Sequence, residues 1–312
     1  MTADGPALEL KPTDRWHFGV PTILLAISTG ICVQILVLLT ISGGDPVDAL
    51  CYWLTNPAVP YNRVQSAFGY SPVVAQLGAP LFQIPFPAFT FILRALEVAS
   101  LVLLTGPLAG ALIFTTPVAS EINAANINLP IAVVMVLGFR WPALWAIPLL
   151  TKPTMGVGLL WFVFRREWRK AAIPIAIAGG LSLVSFAFDQ RVWFEWLQWL
   201  RDNPPVGEWP YPYPVWARLP ISLALVIWGA RTNRPWTVPV ASALALPRLY
   251  YQSPAILIAV VPLIPWLGRL VVPWTRRLAR IDQLYPGRPA AQGGAGIAPD
   301  RPATTATTAG AA

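Results

Sequence analysis

The chain has one histidine, two cysteines and only 12% charged residues, and each scarcity removes a class of function. His17 and Cys51 stand on opposite sides of the first apolar run, so no zinc site is supported. Cys32 lies inside that run and Cys51 in the loop after it. The two would meet only if the chain folded back on itself, and no disulfide is expected. With 55% hydrophobic residues, 15 tryptophans and a positive mean hydropathy, the composition is that of a chain whose solvent is lipid. The net charge of +8 collects beside apolar runs. The orientation rule and anionic headgroups account for it there, which leaves no case for a nucleic-acid partner. Residues 1–17 lack a compact cleavable signal pattern and are expected to stay as a cytoplasmic segment.

What is present is a succession of apolar runs. Phe18 to Ile41 carries no charge and is long enough to cross a hydrocarbon core of about 30 Å as a helix. Charged punctuation divides the rest into candidate spans at 71–93, 95–118, 129–139, 141–151, 154–164, 171–188, 215–230, 236–247 and 254–273. The expectation is an all-α, polytopic transmembrane protein of about ten spans, with both termini cytoplasmic. Arg94, Arg140, Arg165, Arg166, Arg169, Lys170, Arg231 and Arg269 then fall on the cytoplasmic side. Three central runs between Leu129 and Phe164 have only about 11 residues each, roughly 16 Å as helix, and read as short, broken or re-entrant helices lining a cavity. Pro80, Pro85 and Pro87 predict kinks within one span. The membrane domain covers 18–275. Residues 276–312 read as a basic and then disordered cytoplasmic tail, and no loop is long enough for a second domain.

Two longer loops, 42–70 and 189–214, and the turns at 121–128, 151–154 and 248–253 are assigned to the external face. Asp48 delivers a carboxylate there, just past the first span. It reads either as a general base or as a helix amino-terminal cap. Asp45 precedes it by three residues, but a lone pair of acids without further ligands does not make a metal site. Lys152 and Arg248 occupy tight turns between apolar runs, where they either meet a phosphate or snorkel and pair with acids. The loops are rich in aromatics, including Tyr52, Tyr61 and Tyr70. Val192 to Leu200 reads as an interfacial helix whose tryptophans form a membrane belt.

These pieces come in a recognisable order: Asp48-x-x-x-Tyr52, Phe68-Gly-Tyr70-Ser-Pro72, Asn126-Ile-Asn128, Lys152-Pro153, the basic turn Arg165 to Lys170, and Pro247-Arg248-Leu-Tyr250-Tyr251. The sequence resembles the GT-C membrane glycosyltransferases of family 87, the polyprenol-phosphate-mannose-dependent mannosyltransferase group, over about residues 18–275. Two departures stand out. The glutamine that often precedes the family's central asparagine is absent from Ala124-Ala125-Asn126-Ile127-Asn128. The histidine of the late motif is also absent, with Arg248, Tyr250, Tyr251 and Gln252 in its place.

The resemblance implies a GT-C-like fold in the cell (plasma) membrane with its active face external. It implies transfer of a sugar, mannose by expectation, from a polyprenyl-phosphate donor to a lipid or glycan acceptor, with inversion and with Asp48 as the base. Asp45, Tyr52, Tyr61, Tyr70, Glu121, Asn126, Asn128, Lys152, Arg248, Tyr250, Tyr251 and Gln252 are the expected substrate-binding residues. No cofactor or metal is implied. The rival readings are a lipid-linked substrate transporter or flippase, and an inactive scaffold.

Overall fold

The computed structural model describes residues 19–56, 58–61, 68–204 and 213–285. Among these residues every regular element is helical. In chain order they are α1 (Val20–Ser42), α2 (Val47–Trp53), α3 (Pro72–Gly78), α4 (Phe86–Thr105), α5 (Ala109–Leu112), α6 (Thr116–Ala124), α7 (Asn128–Gly138), α8 (Ala146–Thr151), α9 (Leu160–Phe164), α10 (Trp168–Phe188), α11 (Gln190–Asp202), α12 (Val215–Thr232), α13 (Thr237–Leu244), α14 (Val260–Leu263), α15 (Pro265–Val271), α16 (Pro273–Ala279) and α17 (Ile281–Leu284). Tighter 3₁₀ turns lead into α8, α9 and α14.

Three stretches are long and apolar enough to cross a membrane: Val20–Ser42, Phe86–Leu112 and Trp168–Phe188. The count rises to five if each of two bent pairs is one span, α6 with α7 at 108° and Ser253–Leu263 with α15 at 89°. Large apolar side chains project outward along these helices, among them Ile23, Ile27, Leu38 and Ile41 on α1 and Ile175, Leu183 and Val184 on α10. Contiguous apolar surface of this extent fits a hydrocarbon solvent. The chain is a membrane-type helical protein.

Among the described residues the three to five spans found by length and apolarity do not confirm the expected ten. The runs 71–93 and 95–118 merge and shift: α3 stops at Gly78, and one continuous helix begins at Phe86 and passes through Arg94. The prolines explain the difference. Pro85 caps α4 and Pro87 sits in its first turn, so they start a helix where kinks within one were expected. The short central runs do form short helices, Pro142–Thr151 and Pro153–Phe164.

A large buried core joins α1, α4, α7, α9, α12, α13 and α14 around Trp145, Trp161, Phe139 and Leu101. It extends past residue 275, since Ala279, Ile281 and Tyr285 are buried in it and the Tyr285 ring packs on Phe139 and Trp161. A second, smaller cluster of Ala49, Tyr52, Tyr61, Phe68, Phe89 and Val192 supports the loops between α1 and α4. The basic turn at Arg165 to Lys170 and the Asp189 turn lie at opposite ends of α10, whose 21 residues separate them by roughly 31 Å. At the first end, Glu167 pairs with both Arg165 and Lys170 at 2.9 and 2.8 Å.

Trp145 shows how closely this interior is packed. Its indole slots between Gly138 and Gly158, and a Cβ added to either glycine would overlap the ring. Neither Gly138→Ala nor Gly158→Ala leaves the fully buried ring anywhere to go. Each is expected to cost about 1–3 kcal/mol, read as a lower thermal unfolding midpoint in detergent.

Candidate active site

α6 ends at Ala125, whose left-handed backbone (φ 54°) turns the chain before α7 begins at Asn128. Two buried asparagines flank this break and face different partners. Asn126 Oδ1 accepts from the Tyr52 hydroxyl at 3.0 Å and from the Ile127 amide at 2.7 Å. Asn128 donates to both oxygens of Glu121, through its backbone amide at 2.6 Å and its side-chain amide at 2.9 Å. Its Oδ1 accepts from Lys152 Nζ at 2.5 Å. Glu121, Asn128 and Lys152 therefore form one buried chain, and a carboxylate satisfied this way holds the ammonium in place.

Asp48 stands in the first turn of α2, whose cap residue is Pro46. The alternative role of helix cap is thus not the one it has. Its Oδ2 is buried without a hydrogen-bond partner among the described residues. Burial pushes the Asp48 carboxyl above the ordinary aspartate range, while Lys152 first, and then the side-chain amides of Gln252 and Asn126, pull it back down. Residues from the α6–α7 break, the α8 turn and the 250–253 loop thus act on the one carboxylate that α2 carries.

The aromatic loop completes the wall. The Tyr52 and Tyr70 hydroxyls lie 2.8 Å apart, and the Tyr61 hydroxyl donates to the Tyr70 carbonyl at 2.7 Å. Burial raises the pKa of both Tyr52 and Tyr70, so both act as neutral hydrogen-bonding groups. Ser71 donates its hydroxyl to the Leu150 carbonyl at 2.7 Å, tying this loop to the helix that ends at Lys152. Tyr61 is buried as a packing strut. Asp45 is exposed and uses its backbone amide, which donates to Asn123 Oδ1 at 3.1 Å. Tyr250 and Tyr251 are exposed. Arg248 Nη2 donates to the Pro204 carbonyl at 3.4 Å, and its loop reaches Asp48 through Gln252.

Two charged residues at this site were not anticipated as part of it. Arg94, assigned above to the cytoplasmic side, is buried at the same end as Asp48. It donates to the carbonyls of Leu39 and Gly43 at the end of α1 and of Ile122 and Asn123 at the end of α6. Four carbonyls at two helix carboxyl termini are a favourable seat for a guanidinium. Glu97, one turn further along α4, is 0% exposed, with neither carboxyl oxygen hydrogen-bonded among the described residues. Its charged neighbours include Glu121, Asp48, Arg94 and Lys152. The signal available for both was an ionisable residue inside an apolar helix.

Protein-family comparison matches residues 68–281 to Glycosyltransferase family 87. The chain belongs to glycosyltransferase family 87. No curated protein and no solved structure matches it. The family match begins at Phe68, so Lys152, Glu121 and both asparagines lie inside it. Asp48 lies outside, placed beside them by the fold. Among the described residues, no three acids, histidines or cysteines are grouped to hold a metal ion.

If Asn128 is the bridge between Glu121 and Lys152, Asn128→Leu leaves a buried acid and a buried ammonium without their common partner. The expected loss is about 1–3 kcal/mol. A thermal midpoint equal to that of the unaltered protein would show that the bridge carries no weight.

Proposed function

We propose that this family 87 glycosyltransferase moves a sugar, with mannose as the expected one, from a polyprenyl-phosphate donor to an acceptor hydroxyl at the external membrane face. Asp48 acts as general base. It takes the proton of the acceptor hydroxyl as that oxygen attacks the anomeric carbon from the side opposite the phosphate. The bond from the anomeric carbon to the phosphate oxygen breaks, the lipid phosphate leaves with the electron pair, and the configuration inverts. Lys152, and Arg248 from its adjoining loop, offset the charge on the departing phosphate.

The observation that carries this reading is that Lys152 lies near enough to Asp48 to be the leading charge acting on it. The base has one buried, unbonded oxygen free to receive a proton, and the leading charge acting on it is a lysine anchored from behind by Asn128. Burial raises the base's proton affinity, and the cation favours the ionised form that accepts the proton. Tyr52, Tyr70, Asn126 and Gln252 are assigned to hydroxyl recognition around it.

Asp48→Asn is expected to lower transfer by about 10²–10⁴-fold while the protein stays folded and inserted. Near-normal transfer of labelled sugar from lipid to acceptor by this variant would reject the base assignment. The pH dependence has a definite sign. Only ionised Asp48 accepts a proton, so transfer falls as pH drops through its raised pKa. Lys152 pulls that pKa down, so Lys152→Met should move the acid limb of kcat/KM to higher pH. An unmoved limb would separate Lys152 from the base.

A further inference from the structure

Helix α11 has three faces where an ordinary surface helix has two. At about 100° per residue, Val192, Trp196 and Trp199 share one side, Phe194, Leu197 and Leu200 a second that ends in Arg201 in the last turn, and Arg191, Glu195, Gln198 and Asp202 a third. The first side is bound to the protein. Val192 is buried among Tyr52, Tyr61 and Phe68, Trp196 Nε1 donates to the Gly69 carbonyl at 3.2 Å, and the Trp199 indole lies so close over Gly69 that a Cβ there would sit 2.6 Å from the ring. The second side is bare: Phe194 is 62% and Leu197 52% exposed. The third is polar and internally paired, with Arg191 and Glu195 joined at 2.7 Å.

The lipid-crossing helix α10 names what covers the bare side. Its last turns expose Leu183, Val184 and Phe188, the last at 84%, and only Asp189 separates that surface from α11. Asp189 caps α11 by accepting from the Arg191 and Val192 amides, which fixes the turn between the helices. Trp193 closes the corner, donating to Ser185 Oγ at 3.0 Å. The apolar side of α11 therefore continues the apolar surface of α10, while the adjacent polar side is largely exposed.

We propose that α11 lies in the headgroup layer of the bilayer as a strap, with one face in lipid, one in water, and the third gripping the Gly69–Ser71 loop. That loop carries Tyr70, whose hydroxyl meets Tyr52 next to Asn126, so the bilayer surface holds one wall of the site in place. The tryptophans expected as a membrane belt are the inner, gripping face in the case of Trp196 and Trp199. Phe194 and Leu197 are the lipid contacts. The helix carries acids as well as arginines, so the recognised partner is the apolar–polar boundary of a bilayer more than an anionic lipid.

The test places single cysteines at 191, 194, 197 and 198 in the full chain with Cys32 and Cys51 replaced. Each is spin-labelled in vesicles of phosphatidylcholine and phosphatidylglycerol. Labels at 194 and 197 should collide mainly with lipid-soluble oxygen, and labels at 191 and 198 mainly with a water-soluble nickel chelate. Equal nickel access at all four positions overturns the placement. A second measurement follows hydrogen exchange of residues 68–71 in the Phe194→Ser, Leu197→Ser double variant. Losing the burial of even one such side chain corresponds to at least about a tenfold change in an opening equilibrium, so exchange there should rise by that much. Unchanged exchange overturns the strap. Neither readout depends on which reaction the protein catalyses.

Discussion

The break between α6 and α7 is the constraint on which the site depends. A helix continuing through Ala125 would bury its polar side chains along one stripe, but the left-handed residue ends the hydrogen-bond ladder. It also points Asn126 and Asn128 at different partners. A non-glycine residue in that conformation costs on the order of 1 kcal/mol and persists only where its surroundings enforce it. Here the enforcement is visible. The Ala125 amide caps the end of α6 on Glu121 and Ile122, and Glu121 in turn takes both donors of Asn128. The turn that breaks the helix also recruits Lys152 and faces Asp48.

Charge burial follows one logic throughout this end of the molecule. Arg94 is matched to four carbonyls, Glu121 to Asn128, and Lys152 to the asparagine that Glu121 holds, so the helices α1, α4, α6 and α8 are joined by charge-assisted hydrogen bonds where apolar packing alone would let them slide. Arg218 does the same at the end of α13, donating to the carbonyls of Leu244 and Leu246 and so shaping the chain that leads into Arg248. Glu97 and Asp48 are the exceptions, each with buried oxygen that no described residue bonds. Unsatisfied groups of this kind concentrate where a protein does chemistry.

Much of the site was legible because polar residues in an apolar chain have few innocuous explanations. Asp48 and Lys152 were identifiable from their turns, and Asn126 and Asn128 from the family resemblance, and the fold gathers them. Arg94 was misplaced because a charge interrupting an apolar run reads as a loop, and nothing local reveals that carbonyls from α1 and α6 arrive to satisfy it. Glu97 was missed because helix register, and not spacing to the next motif, decides what it faces. The tryptophans of α11 show the same limit: periodicity identifies an amphipathic helix, but which of its apolar faces meets protein depends on Gly69, more than a hundred residues earlier. The span boundaries between 71 and 118 shifted for a related reason, since proline at a helix start and proline at a kink look alike until the partners are known.

These observations join into one account: a bent helix pair presents two asparagines, one bonded to Tyr52 and acting on the Asp48 carboxylate, the other fixing the cation that acts on it. The most direct test is a double-mutant cycle on transfer with Asp48→Asn, Lys152→Met and both together. If the two residues form one catalytic unit, the combined variant is no more impaired than the worse single one. Losses that simply multiply would mean that Asp48 and Lys152 work independently, which contradicts the account.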